Sequence, residues 1–435
     1  MELGGIRGGI SGVYDTFTRI PIVWEGQLHI EFRIVVMDEL EFHKVSSASI
    51  SNLTNLCSTL SITRKELDKA LSLSPSDRYE EVQVNKSDGS LRTAFKPHYL
   101  IRRIQRRINK RIFAPQKSEP NTVQWPSYLY GSIPNQIIDG EEVQKDYIAC
   151  ARKHCKSKSL LKIDIKSFFD NVHKDIVYDI YKNFFKYPEP VSEVLTDLCC
   201  HENRLPQGGL TSSYLASLAL YDTEPSIPKR LLKKGLNYTR LVDDITVSSK
   251  SHNYDFSFAQ KIIMDMLYKK DLPINEKKTR IEREASTPLM VHGLRVCFKE
   301  PRLASNEVKN IRAAVKNIET LAKERHYRTT HSYRKDYNRC LGRVNKLARV
   351  GHNQHSILVG RIKKVKPLPS KRDIERCCAM VLNLERDHPS KSSRYWYWRR
   401  YHKAHQRINI LQRTFIHTAT DLRARLRFLK PTYES

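Results

Sequence analysis

Two apolar stretches that are interrupted by acidic residues organise the middle of the chain. In residues 161–166 apolar and polar side chains alternate, which predicts a strand with Asp164 on its polar face. Residues 238–248 are rich in Val, Ile and Thr, which favour strands, and are broken at their centre by Asp243 and Asp244. Because Asp is a common turn former, this stretch predicts two strands joined by a tight turn that bears both carboxylates.

The two acidic stretches together indicate a metal site. An Asp-Asp pair alone would be interpreted as an exposed hairpin turn. A third carboxylate from another strand changes this interpretation, because carboxylates are the hard oxygen ligands that Mg²⁺ prefers. Two such ions can stabilise the attacking and the leaving oxygen of an in-line displacement. We therefore expect two Mg²⁺ ions, with Mn²⁺ as the alternative, and phosphoryl-transfer chemistry such as nucleotide addition.

The apolar pattern also predicts elements on both sides of these stretches. Alternation after Gln27 predicts strands near the start of the chain. Residues 79–97 predict a hairpin around a Ser-Asp-Gly turn, and residues 100–113 predict a basic helix whose isoleucines face inward. The Pro-Gln-Gly-Gly turn at 206–209 would let the backbone approach a ligand closely. Beyond residue 299 the spacing is largely helical.

The net charge narrows the class of partner. The 435 residues have a formal net charge of +29, which implies a polyanionic partner and favours nucleic acid. Membrane binding is the other use of such charge, but the sequence has no run of 18 or more apolar residues. The nine cysteines include no Cys-x-x-Cys pair, and the first residues do not resemble a secretory signal. We therefore expect a cytoplasmic protein with reduced thiols and no membrane partner.

Five segments, in order and at matching spacing, resemble the palm motifs of reverse transcriptases, specifically of the bacterial retron-like group. Asp164 matches the metal aspartate of motif A, and Asp243 and Asp244 match the aspartates of the Tyr-x-Asp-Asp motif C. Motifs B, D and E are matched by residues 204–212, by Asn275, Lys278 and Thr279, and by Val291-His292-Gly293-Leu294, where the family has Val-Thr-Gly-Leu.

A sixth segment resembles a motif of the retron enzymes themselves. Residues 150–154 match the pattern Asn-Ala-x-x-His, except that Cys150 replaces the Asn. We interpret His154 as a buried, hydrogen-bonded structural residue rather than a catalytic one.

The resemblance implies an α+β fold of the right-hand polymerase type, with fingers, an antiparallel palm sheet and a helical thumb. A β-rich extension would precede these domains, and a basic helical extension would follow them. The domains expected are 1–46 (N-terminal extension), 47–160 (fingers with the early palm), 161–298 (palm), 299–364 (thumb) and 365–435 (C-terminal extension).

The resemblance also implies roles for site residues. Phe169 would stack under the sugar and exclude a 2′-hydroxyl, which favours dNTPs over rNTPs. The metal ligands would be Asp164, Ile165, Asp243 and Asp244, with the three aspartates as catalytic residues. The other residues expected at the nucleotide are Arg92, Lys96, Gln207, Gly208 and Lys278.

Nucleic-acid contacts are expected on two basic segments. The dense single-sign face of residues 100–113 can follow a phosphate backbone. Residues 393–403 interleave aromatic and basic side chains, which suits stacking on single-stranded RNA, and a packed amphipathic helix explains the pattern equally well. The contact residues expected are Arg102, Arg103, Arg106, Arg107, Trp396, Trp398 and Arg399.

The resemblance therefore implies an RNA-directed DNA polymerase that extends a 3′-hydroxyl with dNTPs. Leu241 replaces the Tyr of motif C and Ser213 replaces a Pro of motif B. With the chain length, these departures favour a defence-associated bacterial reverse transcriptase (DRT) over a plain retron enzyme. Such an enzyme would copy a dedicated non-coding RNA into DNA in antiphage defence, and a second defence protein or a second copy of the chain stays open as a partner.

Three alternatives stay open. The same site could perform untemplated or protein-primed DNA synthesis. The chain could be a group II intron-type maturase. It could also be a non-catalytic RNA-binding scaffold, although clustered acids are costly when nothing binds them.

Overall fold

The computed structural model describes residues 39–45, 49–85, 89–113, 123–138 and 140–433. The strands predicted after Gln27, and most of the predicted N-terminal extension, lie outside the described residues. Within the described part of the chain, no helix is long and apolar enough to cross a membrane.

The strands of the described residues form a five-stranded sheet, a three-stranded sheet and three two-stranded pairs. They are β1 His43–Lys44, β2 Tyr79–Asn85, β3 Leu91–Pro97, β4 Val123–Gln124, β5 Leu129–Tyr130, β6 Gln136–Ile138, β7 Glu141–Val143, β8 Ser159–Asp164, β9 Asn237–Leu241, β10 Asp244–Ser249, β11 Arg280–Arg283, β12 Met290–Val291, β13 Leu294–Arg295 and β14 Arg302–Leu303.

Helices surround the sheets and make up most of the second half of the chain. They are α1 Leu53–Thr59, α2 Arg64–Leu71, α3 Pro75–Arg78, α4 Tyr99–Ile108, α5 Tyr147–Arg152, α6 Phe168–Asn171, α7 Lys174–Asp179, α8 Glu189–Cys199, α9 Ser212–Leu218, α10 Ser226–Leu232, α11 Ser257–Tyr268, α12 Ser305–Leu321, α13 His331–Arg349, α14 Gln354–Lys364, α15 Lys371–Lys391, α16 Tyr395–Leu411 and α17 Ile416–Arg427. π-Helical turns follow α4 and α7, at Asn109–Phe113 and Ile180–Phe184, and a 3₁₀ turn covers Tyr327–Thr329.

The five-stranded sheet holds the two acidic stretches side by side. Its strand order is β11-β8-β10-β9-β5, and the pairs are antiparallel except for β5 with β9. Strands β9 and β10 form the predicted hairpin around Val242 and Asp243. Strand β8 lies next to β10 with Asp164 directly opposite Asp244.

The polar face predicted for β8 is wrong in part. Leu161 packs into the largest apolar core, whereas Leu160, on the opposite face, packs into a second core. Lys162, also on that second face, is largely buried and its Nζ lies 2.9 Å from a carboxylate oxygen of Glu282 in β11. Strand β8 is therefore a central strand covered on both faces, and Asp164 is only 6% exposed.

Three apolar cores divide the described residues. The largest contains residues between Leu40 and Leu272, and the second joins Ile148 and Leu160 to β12–β14 and α12–α14. The third lies within α15, α16, α17 and the residues just after them. The C-terminal helices therefore form a bundle with a core of its own.

The Pro-Gln-Gly-Gly turn joins the β2–β3 hairpin to the sheet domain. The backbone N–H of Phe95 in β3 donates to the carbonyl oxygen of Gln207 at 2.6 Å. Gly208 has a φ of +118°, and a Cβ there would lie 2.3 Å from the Phe95 carbonyl oxygen. In this structure the group that requires glycine is thus the β3 backbone, and not a ligand as the sequence suggested.

We expect Gly208→Ala to destabilise the protein by more than about 2 kcal/mol, because the new Cβ collides with a rigid carbonyl at an unfavourable φ. Gly342→Ala is the matched control. Gly342 lies inside α13, and a Cβ at this position would have no atom within 4 Å, so the change should stabilise by about 0.5–1 kcal/mol. Urea unfolding checks both, and equal midpoints for the two variants would contradict the prediction.

Candidate active site

The three aspartates singled out by the sequence meet at one end of the five-stranded sheet. Asp243 and Asp244 lie at the β9–β10 turn, and β8 ends at Asp164 opposite Asp244. The backbone N–H of Ile165 donates to the carbonyl oxygen of Asp243 at 3.0 Å. This bond extends the contact between the two strands beyond their last paired residues.

The carboxylates lie close enough to change each other's ionisation. Partial burial, followed by the negative charges of Asp243 and Asp164, raises the pKa of Asp244 to about 6. Burial is also the main reason that the pKa of Asp243 is raised, with the charge of Asp164 adding to it. Like charges gathered in this way are stabilised by a nearby cation.

Lys278 supplies such a cation in this structure. Its Nζ donates to Oδ2 of Asp164 at 2.9 Å, while the lysine side chain is 61% exposed. The bond to Asp164 raises the pKa of Lys278. The backbone N–H of Asn275 also donates to the Asp164 carbonyl oxygen, at 2.7 Å. The segment that resembles motif D is therefore docked on the segment that resembles motif A.

The donor atoms suit a divalent cation. Asp164, Asp243 and Asp244 line a cavity of about 490 Å³, together with Lys278 and His292. Carboxylate oxygens are the ligands that Mg²⁺ and similar ions prefer. Among the residues that the structure describes, no group of three or more His, Cys, Asp or Glu side chains is already arranged around an ion position. The carboxylate oxygens therefore fit a divalent metal ion. In this structure the ammonium group of Lys278 bonds to one oxygen of Asp164 and supplies the positive charge instead.

A buried ion pair lies directly beneath the turn. The side chains of Arg240 and Glu224 have no exposed surface. Nε and Nη2 of Arg240 each donate to one carboxylate oxygen of Glu224 at 2.7 Å, and the hydroxyl of Tyr238 donates to the same carboxylate at 2.8 Å. The two-pronged geometry satisfies both charges, which would be costly to bury alone.

Arg240 also holds the turn itself. Its Nη1 donates to the carbonyl oxygen of Val242 at 3.1 Å, and its Nη2 donates to that of Ser217 in α9 at 2.8 Å. Val242 has a φ of +60°, which is rare for a β-branched residue. The ion pair therefore supports the strained backbone that presents Asp243 and Asp244.

This ion pair was not predicted from the sequence. The available signal was a charged residue, Arg240, within an apolar strand, and a second one, Glu224, between two apolar helices. Each would be costly to bury without a partner, so the two together indicate a buried ion pair.

Two of the departures from the family motifs, Cys150 and His292, contact each other. Sγ of Cys150 lies 3.3 Å from Nε2 of His292 and 3.3 Å from Oγ1 of Thr239. On its other side, Nδ1 of His292 lies 3.8 Å from Oδ2 of Asp244. Burial lowers the pKa of His292 to about 4, so the imidazole is neutral near pH 7. A short chain of polar side chains thus links Cys150 to the β9–β10 turn.

His154 is the buried structural residue that the sequence indicated. Its Nδ1 lies 2.8 Å from Oγ of Ser248 and its Nε2 lies 2.7 Å from Oγ1 of Thr239. The side chain is fully buried, and this burial lowers its pKa to about 3. The interpretation of His154 is confirmed.

The residues predicted to bind the nucleotide are spread over several elements. Lys278 lies on Asp164, as described. Arg92 and Lys96 lie on exposed positions of β3, where Nζ of Lys96 pairs with Glu80 at 2.5 Å.

Three further residues of this set lie outside the β2–β3 hairpin. Phe169 is partly buried, with its ring 6.2 Å from that of the buried Phe168. Gln207 and Gly208 contact β3 as described above. The nucleotide roles of all these residues stay predictions.

Much of the basic face predicted for residues 100–113 is used inside the protein. Arg103 forms an ion pair with Glu66 of α2. Arg107 donates to the carbonyl oxygen of Leu60 at 2.8 Å. These arginines fasten α4 to neighbouring elements, and their contacts with nucleic acid stay a prediction.

A third arginine of α4 reaches the C-terminal bundle. Nη1 of Arg106 donates to the Tyr433 hydroxyl at 3.2 Å, and its guanidinium lies 5.0 Å from the ring centroid of Tyr395. Arg102 lies on the exposed side of the helix.

The aromatic and basic segment lies on α16, which has one buried and one exposed face. Tyr397 is fully buried, whereas Trp396 is 38% exposed with the guanidinium of Arg400 lying 4.5 Å from its ring centroid. Trp398 is half-buried and Arg399 is exposed. The helix is thus packed on one side and presents aromatic and basic groups on the other.

Residues 84–331 match the family model described as reverse transcriptase (RNA-dependent DNA polymerase). The chain belongs to the reverse transcriptase family. The matched range includes all five strands of the five-stranded sheet and the three aspartates.

Individual relatives agree with the family. The retron Ec48 reverse transcriptase of Escherichia coli is 41% identical over 400 residues, which cover 91% of this chain and 96% of that protein. The retron Se72 reverse transcriptase of Salmonella heidelberg is 33% identical over 75% of this chain and 82% of its own. Among solved structures, telomerase from Candida albicans with a telomeric RNA fragment is 12% identical over 80% of this chain and 65% of that one, with a TM-score of 0.36.

This retron-like reverse transcriptase is therefore an RNA-directed DNA polymerase with a right-hand polymerase fold, in a family that uses divalent metal ions. The predicted retron-like family is confirmed. The prediction that chain length separates it from retron enzymes was wrong, because the Ec48 enzyme is covered over nearly its whole length. These relatives give no support to the preference for the DRT families.

We expect Glu224→Gln to destabilise the reverse transcriptase by about 3–5 kcal/mol, because it leaves the Arg240 charge buried without its partner. The double variant Glu224→Leu, Arg240→Met should regain much of this stability but lose dNTP incorporation, since Val242 is no longer supported. Asp68→Asn, which breaks an exposed pair with Arg64, should cost less than about 1 kcal/mol. Full activity in the stable double variant would contradict the positioning role.

A second prediction concerns the contact between Cys150 and His292. Cys150→Asn and His292→Thr, which introduce the residues of the retron motifs, should each lower the rate of dNTP incorporation. In the double variant, the change in activation free energy should differ from the sum of the two single changes by about 1 kcal/mol or more, because the two residues are in contact. Cys340→Ser, in the second apolar core, serves as the control partner for His292→Thr, and the effects of these two changes should be additive. If the effects on the rate were additive in both pairs, the contact between Cys150 and His292 would have no role in activity.

Proposed function

We propose that this reverse transcriptase extends a 3′-hydroxyl with dNTPs on an RNA template by two-metal phosphoryl transfer. The observation that supports it most is the strand register that sets Asp164 opposite Asp244, with Asp243 beside them. These carboxylates, with the carbonyl oxygen of Ile165, would hold two Mg²⁺ ions. When bound, such ions stabilise the attacking and leaving oxygens of an in-line displacement.

The side chains around the aspartates would bind and orient the nucleotide. Lys278, once it leaves Asp164, can neutralise the triphosphate, and Arg92 and Lys96 can reach it from the β2–β3 hairpin. Lys96 must first leave an exposed acidic partner, which costs little at the surface. Phe169 would lie under the sugar and favour dNTPs over rNTPs.

The remaining contacts would position the nucleic acid. Gln207 and Gly208, held against β3, would meet the pair formed by template and nucleotide. Arg102 and the exposed face of α16, with Trp396 and Arg399, would contact RNA by charge and stacking.

We also propose the domain division given above, with fingers at 47–160, palm at 161–298, thumb at 299–364 and a C-terminal extension at 365–435. The separate core of α15–α17 supports the boundary at residue 365. Charge and the retron relatives support a dedicated non-coding RNA as template and a DNA product, made in the cytoplasm in antiphage defence, with a second defence protein as a further partner.

The decisive test is incorporation of labelled dNTPs with Mg²⁺ by the wild type and by Asp243→Asn, Asp244→Asn. The double variant should lose roughly 10³-fold or more, because it removes charge that stabilises the transition state. Asp175→Asn changes an exposed aspartate on α7 and should leave the rate unchanged. Sequencing of the co-purified nucleic acid identifies the template.

Two outcomes would contradict the proposal. Incorporation that survives removal of RNA by nuclease would indicate untemplated synthesis. Absence of incorporation with any divalent ion, while RNA stays bound, would indicate an RNA-binding scaffold.

A further inference from the structure

A second cavity lies just beyond the strands that border the active site. It has a volume of about 300 Å³ and is enclosed by β13, β14, the first turns of α12 and His352. Gly293 lines the catalytic cavity, and Arg295, two residues further along the chain, lines this one. Because these two lining residues are two positions apart, their Cα atoms lie at most about 7 Å from each other, which makes the two cavities neighbours.

Four cations surround this second cavity, which we call the β13–α12 pocket. Within the described residues, none of their side chains has a hydrogen-bond acceptor or an ionic partner. They are Arg295, Arg302, Lys309 and Arg312.

The acidic residues nearest in sequence are already paired elsewhere. Glu300 pairs with Arg152 at 2.8 Å, and Glu307 pairs with Lys346 at 2.9 Å. None of the residues that line the pocket is acidic. The pocket therefore concentrates positive charge that the described part of the protein does not neutralise.

Two of the cations are held on one aromatic ring. The guanidinium of Arg295 lies 5.1 Å from the ring centroid of Phe298, and that of Arg302 lies 4.3 Å from it. Nε of Arg295 is buried and has no hydrogen-bond acceptor. Since the ring fixes both like charges and one donor is unsatisfied, the arrangement is suited to an anion that enters from outside.

The start of α12 adds to this potential. The helix has 17 residues, begins at Ser305, and has no side-chain cap from Ala304. Its first backbone N–H groups and the positive end of its dipole lie at the pocket, where Ser305 and Val308 are lining residues. The helix start thus reinforces the field of the four cations.

We propose that the β13–α12 pocket binds phosphate groups of a nucleic-acid strand. It recognises charge and not base sequence, because guanidinium groups already cover Phe298 and the remaining apolar floor, Leu303 and Val308, is aliphatic. The proposal rests on the proposed function, since the strand that passes this pocket is one that occupies the neighbouring active site. Its role is to hold that strand beside the aspartates without limiting which sequence is copied.

The test compares two variant pairs that remove the same charge. Lys309→Gln, Arg312→Gln changes two exposed residues of the pocket, and Lys316→Gln, Lys323→Gln changes two residues further along the same segment that do not line it. Binding of a labelled single strand about 20 nucleotides long is measured by anisotropy, without divalent ions or dNTPs, between about 50 and 200 mM salt. Unfolding midpoints verify that all variants fold.

The pocket pair should weaken binding roughly tenfold at about 0.1 M salt. The slope of log K against log salt should become shallower by about 1.4, as expected when two phosphate contacts are lost. The control pair should leave the slope unchanged. Equal losses in both pairs would overturn the proposal, because they would show that only the overall charge matters.

Modified strands identify which phosphate is bound. If internal phosphodiesters occupy the pocket, neutral methylphosphonate linkages should weaken wild-type binding and leave the pocket variant insensitive. If a terminal phosphate occupies the pocket, removal of the 5′-phosphate should weaken binding by the wild type and leave binding by the pocket variant unchanged. If the pocket variant stays as sensitive as the wild type to both modifications of the strand, a phosphate ligand is rejected. Because no catalysis is measured, loss of polymerase activity and loss of this site are distinguished.

Discussion

The antiparallel register between β8 and β10 is the constraint on which the site depends. Successive side chains point to opposite faces, so a slip of one residue would turn Asp164 away from Asp244 and move Leu161 out of the largest core to the opposite face. Apolar cores on both faces of β8 oppose such a slip. Burial of apolar side chains thereby fixes the positions of like charges that would otherwise move apart.

The like charges are opposed by two cations that differ in kind. Arg240 is fully buried, is neutralised by Glu224 and acts through directed hydrogen bonds to the turn. Lys278 is mostly exposed and bonds directly to Asp164, so a bound ion or a triphosphate can displace it. The site therefore combines a permanent support with an exchangeable counter-charge, and only the second needs to move during turnover.

Local patterns were sufficient for the hairpins, because turn residues and strand alternation act over a few positions. The meeting of Asp164 with Asp243 and Asp244 was expected from the resemblance to the palm motifs. Contacts between distant residues were not accessible in this way. Gly208 is required by the backbone of Phe95, and Arg103 forms an ion pair with Glu66. A run of arginines has the same sequence pattern whether it meets phosphates or the protein's own acceptors, so only tertiary structure separates the two.

The contact of Arg106 with Tyr433 joins residues that are 327 positions apart. It connects α4, the helix that follows the β2–β3 hairpin, to the end of the C-terminal bundle. Displacing the bundle would break this bond and the stacking on Tyr395, and would return a bare guanidinium to the surface of α4. Movement of the bundle away from α4 would therefore change the electrostatic potential beside the polymerase domain, without any change of covalent structure.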